Sequence, residues 1–281
     1  ASASKFLTAA TVMAVVDEGK LQLDAPIVAW LPKLPPAVGK LTLRQLLSQT
    51  SGLAGAKGEY YDLAQDHRIT LEQSALDVAQ RPLISVPGKV FAYGAPGFQV
   101  AGAVVEAVTG QRWAQVFQEK IAVPLGMSHT YWTHLRLDSA AELPLAETLN
   151  PVLQGGAVST AADYLRFLSM MANEGVFEGK RVLSKNSIDE MLKDQTPEAF
   201  MTPAPENPIK GGHYSLGNWC ESWDEAGACL RSSSIGAFGT YPWVERKTGR
   251  FGIVFVYQLE NAFRLWPEIK AIRDAVEVDS P

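Results

Sequence analysis

Cysteine is scarce in this chain: 281 residues hold two, Cys220 and Cys229. That excludes a disulfide-dense miniprotein and a four-cysteine zinc site. Histidine is nearly as rare. His67, His129, His134 and His213 include no His-Glu-x-x-His or comparable spacing, so no metal site is expected. Positive charge is not in excess: 25 Lys and Arg against 30 Asp and Glu leave a net charge of −5, which excludes a globally basic nucleic-acid binder. Apolar runs such as Ile253-Val254-Phe255-Val256-Tyr257 fall far short of the roughly 20 residues a bilayer-spanning helix needs, so no integral membrane segment is expected. A signal peptide is not visible. Neither a Walker motif nor a dinucleotide fingerprint occurs, and a Gly-x-Ser-x-Gly elbow is missing, which leaves nucleotide-cofactor and α/β-hydrolase readings unsupported.

Apolar residues make up 47% and charged residues 20%, an ordinary globular composition with enough chain to bury a large core. The first two thirds read as helices and loops. Phe6, Leu7, Ala10, Met13 and Ala14 mark an amphipathic helix over residues 3–18, stopped by Gly19. Thr42 with Gln45 and Thr70 with Gln73 form capping boxes. Pro96 opens a helix that Gly110 ends, and Thr160 with Asp163 opens another. The last third changes character. Residues 213–223, 228–234, 237–244 and 251–259 are rich in aromatic and β-branched side chains and predict an antiparallel sheet. A closing helix over about 262–277 covers one of its faces. Helices segregated from an antiparallel sheet make an α+β fold, an α/β sandwich. One catalytic domain over 1–281 is expected, with a helical lobe over about 1–205 and a sheet lobe over about 206–281. Pro203, Pro205 and Pro208 with Asn207 and Gly211-Gly212 mark a loop between them.

The chemistry begins at Ser2-Ala3-Ser4-Lys5. Spacing i to i+3 on a helix puts Ser2 and Lys5 within side-chain reach. A serine hydroxyl is a poor nucleophile until a base takes its proton, and a lysine can do so only when burial or a neighbouring cation depresses its pKa. The helix N-terminus also supplies amide N–H groups suited to an oxyanion.

That segment runs into Val15-Val16-Asp17-Glu18-Gly19-Lys20-Leu21 and on to Leu41-Thr42-Leu43-Arg44-Gln45-Leu46-Leu47-Ser48-Gln49-Thr50-Ser51-Gly52-Leu53. Pro87-Gly88 then precedes Phe91-Ala92-Tyr93-Gly94, and Gly155-Gly156-Ala157-Val158-Ser159-Thr160 and Gly236-Ala237-Phe238-Gly239-Thr240-Tyr241 follow. This series resembles the serine β-lactamase and penicillin-binding protein family, in its class C-like and esterase-like branch, over almost the whole chain. The resemblance implies a β-lactamase/transpeptidase-like fold. It implies Ser2 as the acylated nucleophile, Lys5 as its general base and Tyr93 as the tyrosine of a Tyr-x-Asn motif. A phenol beside a lysine ammonium is expected to ionise more easily and to relay a proton to the leaving group.

Two positions depart from the pattern. Tyr93-Gly94-Ala95 lacks the asparagine amide, and the Lys-Thr-Gly-type motif aligns with Ser234-Ile235-Gly236, where Ser234 carries no charge. The literal Lys247-Thr248-Gly249 reads as a turn between strands. Gly236 would let a substrate backbone approach, and the Ala237 N–H would join that of Ser2 in an oxyanion hole. Arg231 is a candidate replacement for the missing cation. The expected function is a cofactor-free serine hydrolase cleaving carboxylic esters, with amides or β-lactams as further small-molecule or peptide substrates. A β-lactamase, a D-peptidase or transacylase, and a non-catalytic peptide- or protein-binding relative are the alternatives. The family's exported habit implies a periplasmic or secreted location. It would suit a disulfide between Cys220 and Cys229, which flank a turn near Asp224; two separate thiols are the other reading. The resemblance implies an N-terminal helix and first sheet strands ahead of the nucleophile; an excerpt of a longer chain, a separate N-terminal segment that completes the sheet as a partner, and a truncated fold are the three readings, the first two preferred because loss of those strands would expose core.

Overall fold

The protein is described by a computed structural model over residues 1–54, 66, 68–94, 96–133, 149–196, 200–201, 213–226, 228–256 and 262–278. The predicted loop at Pro203–Gly212, and Ala95, His67 and His134, lie outside these residues.

The seven helices that matter to the site are α1 (Ser4–Asp17), α2 (Leu43–Leu47), α3 (Leu71–Ala79), α4 (Pro96–Thr109), α5 (Ala161–Ala172), α6 (Lys185–Met191) and α7 (Trp266–Val278). Their ends follow the local chemistry. Thr42 and Gln45 satisfy each other's backbone N–H groups at the start of α2. At α3 only half of the expected box forms: Thr70 accepts from the Gln73 N–H, while the Gln73 side chain turns to Asp77. At α5, Thr160 caps the Asp163 N–H, and the Asp163 carboxylate accepts from the His129 N–H and the Thr130 hydroxyl.

Helix α1 departs from the amphipathic expectation. Every residue from Ser4 to Val15 is buried. Its polar positions are tolerated because each has a partner. The Thr8 hydroxyl donates to the Leu153 carbonyl (2.6 Å), the Thr11 hydroxyl to the Leu7 carbonyl (2.8 Å), and the Ser4 hydroxyl accepts from the Ala157 N–H (3.0 Å). Phe6 meets Phe167 of α5 edge to face at 5.2 Å. The helix is the axis of the larger core, with neighbours on all sides.

Five strands form an antiparallel meander: β1 (His213–Tyr214), β2 (Trp219–Trp223), β3 (Cys229–Ser233), β4 (Tyr241–Glu245) and β5 (Phe251–Val254), in spatial order β5-β4-β3-β2-β1. The predicted strand 213–223 is split. Its middle turns at Gly217 (φ +75), where an added Cβ would lie 2.4 Å from the Lys5 carbonyl oxygen and 2.8 Å from the Ala9 Cβ. Glycine therefore serves twice, in its backbone conformation and in letting the turn press on α1. The predicted strand 237–244 is shortened, because Ala237–Thr240 forms a tight hairpin tip closed by the Gly236 N–H to the Thr240 carbonyl (2.8 Å).

Helix α5 packs on β4 and β5 from the helical side. On the other face Ile269 of α7 joins Tyr241 and Trp243 in a second core cluster. There Arg273, 2% exposed, donates to Glu221 (2.8 Å) and to the Tyr241 hydroxyl (2.5 Å). Lys247-Thr248-Gly249 occupies the β4–β5 turn, with Gly249 at φ +68. Cys220 and Cys229 form a disulfide between β2 and β3, with Cα atoms 5.6 Å apart. Trp219 and Trp243 are buried, whereas Trp223 is a surface residue stacked on His213 at 4.3 Å. Among the described residues no helix is long and apolar enough to cross a membrane.

Candidate active site

Ser2 lies two residues before the start of α1, next to the buried Ala3. Four contacts fix that end of the helix. The Ser4 N–H and hydroxyl both donate to the Ala1 carbonyl, the Tyr164 hydroxyl of α5 donates to the Ala3 carbonyl (2.7 Å), and the Ser234 hydroxyl donates to the Ser2 carbonyl (3.0 Å). The helix and the end of β3, the central strand of the sheet, are therefore tied together at the Ser2 residue itself.

Lys5 points back along the helix, as a residue three positions on should. Its Nζ is 3.0 Å from the Ser2 Oγ and donates a second bond to the Gln154 carbonyl (3.0 Å). No carboxylate pairs with this amine among the described residues, and the side chain is 2% exposed. Burial lowers its pKa from the ordinary 10.5 to about 7. An amine at that pKa is substantially unprotonated at neutral pH and can take a proton from a hydroxyl at this distance.

The Tyr93 ring lies 4.7 Å from the Lys5 Nζ and is stacked against Trp219 at 5.5 Å. Its phenol is pushed up to about 12 by burial, against which a hydrogen bond with the Ser2 hydroxyl acts in the lowering direction. This reverses the expectation of an easily ionised phenol: desolvation outweighs any help from the neighbouring amine. The Ser2 hydroxyl thus sits between a low-pKa amine and a high-pKa phenol.

Gly236 comes against the same spot from the sheet. An added Cβ there would lie 3.6 Å from the backbone nitrogens of Ser2 and Ala3, an ordinary contact. Ala237 follows at the exposed hairpin tip, and neither its N–H nor that of Ser2 has a backbone acceptor among the described residues. Ser234, by contrast, is buried, and its hydroxyl is engaged with the Ser2 and Gly217 carbonyls. It holds the Ser2 backbone rather than opening toward a ligand.

Arg231 is not brought to this site. It is the register partner of Glu245 and donates to that carboxylate from Nε (2.8 Å) and Nη2. Three positions along an extended chain separate it from Ser234, which puts the two side chains on opposite faces of the sheet.

Sequence reasoning missed two groups here. The Gln154 carbonyl holds Lys5, and the only signal was its place immediately before Gly155-Gly156. Gln49 brackets Tyr93 from the Gln49-Thr50-Ser51-Gly52 stretch, which the sequence marked only as part of a resemblance.

Comparison with known proteins adds to this geometry. The chain is 30% identical over 236 residues to Protein Rv1367c of Mycobacterium tuberculosis, an alignment covering 69% of this chain and 58% of that protein. Esterase EstB of Burkholderia gladioli is 37% identical over 142 residues, covering 45% of this chain and 36% of its own. This chain thus spans about half the length of the curated relatives it matches. A solved structure from Bacteroides dorei DSM 17855, named as a candidate β-lactamase, superposes with a TM-score of 0.81 at 31% identity, covering 97% of this chain and 84% of that one. The fold is the β-lactamase/transpeptidase-like arrangement of helices and antiparallel sheet. The family model described as "Beta-lactamase" matches residues 1–276, and the chain that carries this serine, amine and phenol belongs to the β-lactamase family.

Proposed function

We infer that the protein is a serine hydrolase that cleaves carboxylic esters through an acyl-enzyme on Ser2. The observation that carries this reading is the Ser2 hydroxyl held 3.0 Å from a buried Lys5 amine whose pKa is about 7. In the first step unprotonated Lys5 takes the Ser2 proton while Oγ bonds to the ester carbonyl carbon. The oxyanion is received by the N–H groups of Ser2 and Ala237. The carbon–oxygen bond to the alcohol then breaks, and the departing alkoxide takes the Tyr93 phenolic proton, which the Lys5 ammonium replaces. Water repeats the sequence on the acyl-enzyme, releasing the acid and restoring Ser2. No cofactor enters.

Preference for esters rests on what Ser234 and Arg231 do. β-Lactams and D-peptides present a carboxylate that a cation beside the nucleophile would bind. Ser234 is neutral and committed to the Ser2 carbonyl, and Arg231 is committed to Glu245. The identity to an esterase over 142 residues supports the same ordering.

The test is a panel of short-chain p-nitrophenyl esters, nitrocefin and D-alanyl amides, run with the wild type and Ser2→Ala. Ester turnover that vanishes in Ser2→Ala, with a fluorophosphonate probe mapping to Ser2, is the expected result. Fast nitrocefin turnover with negligible ester turnover would reject the ester assignment. Failure of the folded wild type to label would favour a non-catalytic binder.

A further inference from the structure

Gln49 lies just beyond α2, 5% exposed, with its backbone in the left-handed region at φ +61. Two other described non-glycine residues share that conformation, Glu174 and Glu178, and both are exposed turn residues. A left-handed conformation is strained for a non-glycine residue, because its Cβ crowds the backbone. Nothing local requires glutamine at this helix end, where glycine or asparagine is the usual solution.

The surroundings supply a reason. The Gln49 carbonyl accepts the Ala92 N–H (2.9 Å), and its side-chain Oε1 accepts the Gly94 N–H. These are the amides on either side of Tyr93. One residue therefore grips the backbone before and after the phenol-bearing position, and in its left-handed conformation its carbonyl and its side chain both reach the same short segment. The Gln49 Nε2 is buried without a hydrogen bond of normal geometry, and Tyr214, which interacts with the Gln49 side chain, packs edge-on against the Tyr93 ring at 6.0 Å.

We propose that Gln49 is a positioning residue for Tyr93, fixing the backbone on both sides of it so that the phenol meets the Ser2 hydroxyl in a single orientation. The proposal rests on the reading of Tyr93 as the group that protonates the leaving alcohol. That role has a chemical signature. An alkoxide leaving group needs a proton, whereas nitrophenolate departs without one. A defect confined to Tyr93 placement therefore slows alkyl esters and spares nitrophenyl esters.

The experiment measures kcat/KM for ethyl and p-nitrophenyl esters of one acid in wild type, Gln49→Met, Tyr93→Phe and the double variant. Gln49→Met keeps the side-chain length and removes the acceptor. It is expected to lower the ethyl-ester value about 10- to 100-fold and the nitrophenyl value less than about threefold. In the Tyr93→Phe background it is expected to add nothing, as for two residues that act as a unit. Gln49→Gly, which accepts the left-handed backbone without strain, also removes the side-chain acceptor and is expected to give the same pattern. Equal losses on both esters, or a further loss in the Tyr93→Phe background, would overturn the proposal by revealing a general structural role. Loss in Tyr93→Phe with Gln49→Met unchanged overturns it while sparing the reading of Tyr93. A Tyr93→Phe variant with a wild-type ethyl-ester rate would sink that reading itself, and this proposal with it.

Discussion

Replacing Lys5 with methionine separates what this amine does for chemistry from what it does to stability. The side chain is 2% exposed, and burial takes its pKa from 10.5 to about 7. The gap corresponds to about 5 kcal/mol favouring the neutral amine in the folded state. The sign follows from proton uptake. Between about pH 7 and 10.5 the unfolded chain holds a proton on Lys5 that the folded chain does not, so the wild type gains stability as pH rises through that window. Below about pH 7 both states are protonated, and the full cost of a buried ammonium is borne. Lys5→Met has no such dependence. The packing change on substitution is common to every pH and cancels when the comparison is made across pH. The stability of the variant relative to wild type should thus fall by about 3 kcal/mol between pH 6 and pH 9, or roughly 6 °C in relative Tm for a domain of this size. Denaturant unfolding of both proteins at the two pH values measures it, and ester turnover should be lost in the variant at both. A stability difference that stays constant from pH 6 to 9 would refute the claim that Lys5 is held neutral by burial, even if activity were abolished.

Two further substitutions test the frame around the site. Replacing Cys220 and Cys229 together by serine opens a loop with a sequence separation of 9, and should cost about 3 kcal/mol of stability in urea unfolding; a variant as stable as the oxidised parent would mean that the bridge does not constrain the unfolded chain. Gly217→Ala forces a side chain into the left-handed region and to within 2.4 Å of the Lys5 carbonyl, so it should lower stability by about 3 kcal/mol and slow ester turnover, and an unchanged Tm would show that the turn yields without disturbing α1.

Much of this arrangement is legible in the chain because it is local. The Ser2–Lys5 contact follows from helical spacing alone, and the hairpin strands follow from β-branched and aromatic runs interrupted by turn residues. What the sequence conceals depends on partners far along the chain. The apolar positions Phe6, Leu7, Ala10, Met13 and Ala14 predict an amphipathic helix, yet the polar Ser4, Lys5, Thr8 and Thr11 between them are buried as well. Three of these polar residues are matched by Leu153, Gln154 and Ala157, about 150 residues away. The break at Gly217 is set by its approach to Lys5, which no pattern within 213–223 encodes. The direction of Arg231 depends on strand register, and the irregular pairing between β2 and β3 around Ser222 shifts that register by amounts that alternation cannot foresee.

The reversed behaviour of Tyr93 shows why the two proton carriers must be considered together. A neighbouring ammonium lowers a phenol's pKa only while the ammonium is charged. The burial that lowers Lys5 to about 7 removes that charge at the pH where the amine becomes a useful base. The same dry surroundings raise Tyr93 to about 12. One physical cause therefore drives the pair apart, leaving an unprotonated amine and a protonated phenol on the same hydroxyl across a wide pH range. In the mechanism proposed above this separation favours Lys5 as acceptor of the first proton and Tyr93 as donor of the second, since the reverse assignment would require a phenolate that burial disfavours.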